Sequence, residues 1–572
     1  LAVGTKRDRN YHRKTFYIAP AAAHCCLLRP HRTQVFLVNL TSFAPLPRRA
    51  LALALAFVLA APPALAPAQV TGSDLPALGE AAADDLSPVN ERKLGEAIMR
   101  QARFDPTYLA DPDTADYLNN LGFQLVSVSP SRHIDFEFFA VRDATMNAFA
   151  LPGGFIGVHS GLVLTAQSEG ELASVLAHEI GHVAQRHIAR MLAKQRDSTA
   201  IAIGALLLAL LAARSNSSSS ADLTQAAVIG GQAAAVQQQL NFSREAEREA
   251  DRVGLQILTD AGFDPRAAAT FFGRMQQGSR VYESAAPAYL RTHPMTTERI
   301  GDLQARVREL NVSTKARMRP DSLDFHLVRA RLRVLQDDTL QGGRDAAAHF
   351  TSQIRERTAT SDAAAHYGLA VASLRLNQPR AALDSALQAR KLAGAPAPMI
   401  EKAVAEARFA TAEQMTAGAA RDTELTAAIK LAQDSSARFP LSPLTALTYV
   451  NLLQRSGQHE RAVTYMREQL AIPRSRSQHY ELLARSYAAL NKMTLSHQAT
   501  AEAYYLLGAL PLAVQQLQLA RKAADADFYA MSEVDARMRQ LMRELKEQRE
   551  EAIRAGRPAP DEPPDEGAKK RR

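Results

Sequence analysis

Two histidines four residues apart with a glutamate after the first, His178-Glu179-Ile180-Gly181-His182, constrain this chain more than any other feature of it. The string lies in a run patterned as a helix: Ser168 and Glu171 form a capping box, and Leu172, Val175, Leu176, Ile180 and Val183 share one face. On a helix, positions i and i+4 point to one side a turn apart, so two imidazoles can close on one Zn²⁺. Glu179 stands beside the first ring, placed to take a proton from water and pass it to a leaving amine. With 15 histidines in 572 residues, such a string arises by chance only about 0.02 times per chain. A catalytic zinc takes three protein ligands and leaves its fourth position to water. A later helix, opened by Ser243, offers Glu245, Glu247 and Glu249, with Asp251 one turn beyond Glu247, and spacing alone does not choose among the glutamates. His187 would lie about 140° round the helix from His182 and reads as structural.

Around these two helices the pattern is mixed, then wholly helical. Ser87-Pro88 opens a helix, Tyr117, Leu118, Leu121 and Leu125 mark a second, and Ile134 to Val141 reads as a strand. Phe149, Leu151, Phe155, Ile156 and Val158 flank Pro152-Gly153-Gly154 as a hairpin, and Asp264-Pro265 begins another helix. The apolar run 201–213, with the Ser- and Gln-rich stretch after it to Asn241, fits a buried helix with a loop, a membrane-surface contact, or a lid. From about residue 325, turn-plus-small-residue units recur: Asn377 with Ala382, Gly457 with Ala462, Asn491 with Ser496, Gly508 with Ala513. Gly457 to Asn491 is one tetratricopeptide period of about 34 residues. Asn491 to Gly508 is half of one, as expected if a single helix between them serves two repeats. Tyr449, Leu452, Leu453, Tyr480, Leu483 and Tyr504 would fill the space between paired helices. The charged, Pro-containing end, 541–572, reads as disordered.

The net charge of +9 suggests nucleic acid until it is located. Residues 1–49 hold nine Lys or Arg against Asp8 alone; taking these from the 68 basic and 59 acidic residues leaves 59 against 58. The working chain therefore has no global attraction for nucleic acid. Arg48-Arg49, a short apolar run and small residues near Ala66 and Ala68 read as a signal peptide over 50–68, with 1–49 an upstream leader or start-site artefact. Both cysteines, Cys25 and Cys26, fall upstream, so the exported chain would have no disulfide and no thiolate ligand.

Four stretches carry a family resemblance: Asn147 to Gly154, His178 to His182, Ser243 to Asp251, and Thr292 to Ile300. They resemble the zinc endopeptidases that pair HExxH with a downstream ExxxD, the superfamily of the CAAX prenyl protease and the heat-shock membrane protease. More closely the chain resembles periplasmic members with C-terminal repeats that assist β-barrel assembly, and the likeness covers roughly residues 80 to 530. It implies an α+β zincin-like metalloprotease domain, mostly helical with a small sheet, over 80–320. An all-α tetratricopeptide-like repeat domain follows over 325–540. It also implies one Zn²⁺ per chain on His178, His182 and Glu247, with Asp251 orienting a ligand histidine. His293 and Arg299 fall where the family places groups near the metal. His293 would donate to the developing oxyanion or act as a fourth ligand in a latent state. Asn147, Ala148, Phe149, Ala150 and Leu151 would form an edge strand to which an extended substrate adds.

The expected function is a periplasmic zinc metalloendopeptidase acting on misfolded or stalled polypeptides in outer-membrane protein quality control. Its repeats would dock on the assembly machinery, and 201–213 could give peripheral contact with the outer membrane. The competing reading is a periplasmic tetratricopeptide adaptor or chaperone whose protease activity is latent.

Overall fold

The computed structural model describes residues 86–194, 243–281, 289, 293–294, 296–310, 319–470 and 477–554. The expected leader, signal peptide and apolar run 201–213 lie outside the described residues, as does 555–572. Ser87 starts α1 (Pro88–Ala102), its hydroxyl accepting the Asn90 amide at 3.3 Å, and Pro88 takes a first-turn position where no N–H is needed. Asp111 likewise caps α2 (Pro112–Ser127), accepting Thr114 N at 3.0 Å. β1 (Glu137–Val141), β2 (Ala148–Leu151) and β3 (Phe155–His159) form one sheet in the order β1-β3-β2. β1 is parallel to β3, pairing Phe139 with Gly157, and β2 is antiparallel, pairing Ala150 with Ile156, which makes β2 an edge of this sheet. The first strand begins only at Glu137, because Ile134 closes a turn by donating to Ser131 O at 2.9 Å.

After α3 (Ser160–Thr165) comes α4 (Glu169–Ala184), which carries the two histidines. Ser168 Oγ accepts Glu171 N at 3.2 Å, while the Glu171 carboxylate reaches Gln167 N at 2.7 Å, one residue before the cap. α4 ends at Ala184, Arg186 adopts a left-handed φ of 51°, and α5 (His187–Lys194) begins beyond it. Ser243 caps α6 (Arg244–Asp260), and α7 (Arg266–Val281) and α8 (Thr297–Glu309) follow. α4 and α6 pack closely because Gly181 faces Ala250 and Gly254 faces His178. This contact decides where the acidic side chains of α6 can reach.

The remaining helices are α9 (Leu323–Leu335), α10 (Leu340–Glu356), α11 (Asp362–Arg375), α12 (Pro379–Leu392), α13 (Pro398–Glu413) and α14 (Ala419–Arg438). They continue as α15 (Pro443–Arg455), α16 (His459–Leu470), α17 (Ser477–Ala489), α18 (Met493–Leu506), α19 (Leu510–Lys522) and α20 (Phe528–Arg554). Most of them pack on their neighbours in sequence, the arrangement of tetratricopeptide-type repeats. The turns at Asn377, Gly457, Asn491 and Gly508 all have left-handed φ, and Ala382, Ala462 and Ala513 after them are fully buried. α18 packs on both α17 and α19, as a helix shared between two repeats must.

The disordered end expected from residue 541 needs correction. α20 runs to Arg554, because Val534, Leu541 and Leu545 recur on one face and are buried with Leu517 of α19. Among the described residues one apolar core extends from Tyr117 of α2 through Ile180 and Phe325 to Leu444 of α15, joining elements on both sides of residue 320. Buried polar ties cross the same junction. Arg331 of α9 grips Asp111 through Nε at 2.8 Å and Nη2 at 2.6 Å, and Glu169 accepts Ser322 Oγ at 2.7 Å and Tyr117 OH at 3.0 Å. Among the described residues no helix is long and apolar enough to cross a membrane.

Candidate metal centre

α4 buries its catalytic-looking face. His178, Glu179 and His182 are all at most 2% exposed. The two Nε2 atoms are 3.0 Å apart. Because Gly254 brings α6 against the backbone of His178, Glu247 reaches the rings: Oε2 is 3.6 Å from His178 Nε2 and Oε1 is 3.5 Å from His182 Nε2. His293 closes the group, with Nδ1 2.9 Å from Glu247 Oε1 and Nε2 3.5 Å from Glu179 Oε1. One donor atom from each of His178, His182, Glu247 and His293 lies within 4.8 Å of the other three.

These donors fit a divalent metal. Three imidazole nitrogens and a carboxylate oxygen are the ligand chemistry of zinc and its neighbours. The carboxylates of Glu179 and Glu247 are both buried here, 0% and 1% exposed. Buried carboxylates are costly, and a cation at this point offsets part of that cost. Burial works against a charged Glu247, yet His293, His178 and His182 hold its carboxyl well below the usual range. Burial also disfavours a charged His178, but Asp251 and Glu247 outweigh it and push that ring up to about 10. Burial takes His182 well down. The pocket therefore draws in positive charge, which is what two buried carboxylates demand.

The surrounding groups hold the carboxylates in place. Arg299, near the start of α8, donates to Asp251 through Nε at 2.7 Å and Nη2 at 2.8 Å, and its Nη1 is 2.7 Å from Glu247 Oε2. Asp251 Oδ1 in turn lies 3.0 Å from His178 Nδ1, within reach but not aligned as a formed hydrogen bond. His293 donates its backbone amide to Tyr289 O at 2.8 Å and stacks on the Tyr289 ring, centroids 4.6 Å apart. Glu179 sits against β2. Burial, with Glu247 nearby, raises its carboxyl, and His293, His178 and the Ala150 backbone amide pull it back. Asn147, expected in the strand, lies just before β2; it is buried, as are Ala148 and Leu151, while Phe149 and Ala150 are half-buried.

Helical periodicity puts His187 round the far side of a continuous helix and Glu249 on an exposed face. The left-handed Arg186 interrupts that helix, and His187 meets both His182 and Glu249. A left-handed arginine leaves no mark in the hydrophobic pattern, so that pattern finds neither residue. Glu245, by contrast, is exposed as expected.

Comparison with known proteins adds kinship. The model of peptidase family M48 matches residues 112–307, a span that holds every residue of the cluster. The chain is 31% identical over 497 residues to the beta-barrel assembly-enhancing protease of Escherichia coli strain K12, covering 84% of this chain and 94% of that protein. It is 38% identical over 327 residues to a putative beta-barrel assembly-enhancing protease of Vibrio cholerae, covering 57% of this chain and 65% of the relative. With the mitochondrial metalloendopeptidase OMA1 of Schizosaccharomyces pombe it shares 32% identity over 235 residues, 40% of this chain and 64% of that one.

Proposed function

As a member of peptidase family M48, alongside the beta-barrel assembly-enhancing proteases, the chain is a metalloendopeptidase, and we propose that it is an exported, periplasmic zinc enzyme that cleaves misfolded or stalled outer-membrane proteins. The observation that carries this reading is the convergence of His178, His182 and Glu247 beside the buried carboxylate of Glu179. When bound, Zn²⁺ would activate water and polarise the scissile carbonyl. Glu179 takes the proton from the attacking water and returns it to the departing amine, a task suited to a carboxyl whose affinity for protons is raised by burial. Arg299 acts through others: it fixes Glu247 as a ligand and Asp251 as the support of His178. β2 offers the backbone of Asn147 to Leu151 to an extended substrate, so recognition favours unfolded chain over particular side chains. Residues 80–320 would hold this chemistry, and the repeats over 325–540 would dock on outer-membrane assembly machinery.

His293 supports a held-back form, the second reading. It lies among the metal donors and bonds Glu247, the place of a fourth ligand that would exclude the attacking water. An enzyme in this state serves chiefly as a periplasmic adaptor until His293 withdraws. The test is digestion of a denatured outer-membrane barrel protein by the full chain: wild type cleaves it and Glu179→Gln does not. Equal cleavage by both would overturn the proposal.

A further inference from the structure

His187 and Glu249 take no part in the mechanism above, yet they stand directly behind a proposed ligand. His187 Nδ1 is 2.8 Å from His182 Nδ1, and His187 Nε2 is 3.1 Å from Glu249 Oε2. Arg190 donates to the same carboxylate oxygen at 2.7 Å. His187 is 3% exposed. The backbone reversal that presents it is anchored: Arg186 pairs with Glu91 of α1 at 3.4 Å and donates to Leu86 O.

An imidazole that turns one nitrogen to a metal has one left for the protein. With a metal on Nε2, the nitrogen that His182 turns to His178 and Glu247, its proton sits on Nδ1 and is donated to His187 Nδ1. His187 then carries its own proton on Nε2 and donates it to Glu249. All the hydrogen bonds run one way, and each fixes the tautomer of the next ring. We propose that His187 and Glu249 are positioning residues that orient His182 and strengthen its metal-facing nitrogen, as Asp251 serves His178. α6 thereby supports both imidazoles of α4, through Asp251 on one side and Glu249 on the other.

The inference rests on the metal reading, and the test separates the two. Zinc affinity of the full chain is measured by competition with a chromophoric chelator for wild type, His187→Asn, His187→Gln and Glu249→Ala. Asparagine puts its amide oxygen where Nδ1 stood and keeps the contact to His182; glutamine puts its amide nitrogen where Nε2 stood and loses that contact. The relay predicts a loss of about 10- to 100-fold for His187→Gln, with His187→Asn much closer to wild type. A role in packing alone gives no advantage to the smaller asparagine. If His187→Gln does not fold, Glu249→Ala decides, with about a tenfold loss expected. His187→Gln or Glu249→Ala binding as tightly as wild type would overturn the relay. Wild type that binds no zinc sinks the metal reading itself.

Discussion

Gly254 of α6 lies against the backbone of His178 so closely that a methyl group there would come within 2.9 Å of both His178 Cα and N. This contact brings a zinc-ligand candidate on one helix within reach of two rings on another. Gly254→Ala must push α6 away, and overpacking of this kind costs about 1–3 kcal/mol. Zinc affinity should fall with stability, since Glu247 and Asp251 move with the helix. Thermal unfolding with and without added zinc reads both effects, and an unchanged affinity would separate the glycine from the site.

Arg299 of α8 bridges Asp251 and Glu247 with its guanidinium, as His178 does with its ring. Arg299→Ala leaves both carboxylates buried without it, a loss of about 3–5 kcal/mol. Arg299→Lys should recover little, because a single ammonium cannot reproduce the guanidinium's fork across both carboxylates. Denaturant unfolding of the two variants should therefore give similar midpoints, both well below wild type.

His293→Ala tests latency. Removing the fourth donor should leave zinc bound by the other three and raise hydrolysis of an unfolded protein. A fall in rate with zinc retained would instead assign His293 to the oxyanion.

The Asp111–Arg331 pair makes stability depend on acid. Burial opposes charge on Asp111, but Arg331 wins and holds the carboxyl well below its ordinary value of 3.8. Because the folded value is depressed, the contribution is complete above about pH 4 and is lost as pH falls toward the folded value. Asp111→Asn keeps the cap to Thr114 and removes the charge. It should cost about 3 kcal/mol at neutral pH and flatten the acid limb of an unfolding profile. A variant with an unaltered acid limb would contradict this.

The features legible in the sequence are local ones. The helix caps, the paired glycines of the hairpin and the HEIGH string each declare themselves within a few residues, and the recurring turns of the repeats do so because a left-handed position favours Gly or Asn. The features that stay hidden depend on distant chain. β1 begins late because Ile134 is taken up by a turn, and α20 continues because Leu541 and Leu545 find partners in the preceding helix. Choosing Glu247 from three glutamates needs either the family likeness or the crossing of α4 with α6. His187 departs from its expected place because one arginine with positive φ redirects the chain.

The most direct test of the account is metal content by elemental analysis, with peptide-bond hydrolysis assayed alongside, for wild type, Glu179→Gln and Glu247→Ala. One zinc per chain is expected in wild type and in Glu179→Gln, with hydrolysis in the latter reduced about 10²- to 10⁴-fold, and zinc readily lost from Glu247→Ala. A wild-type chain that never retains a transition metal, or a Glu179→Gln chain that cleaves at the wild-type rate, would contradict the account.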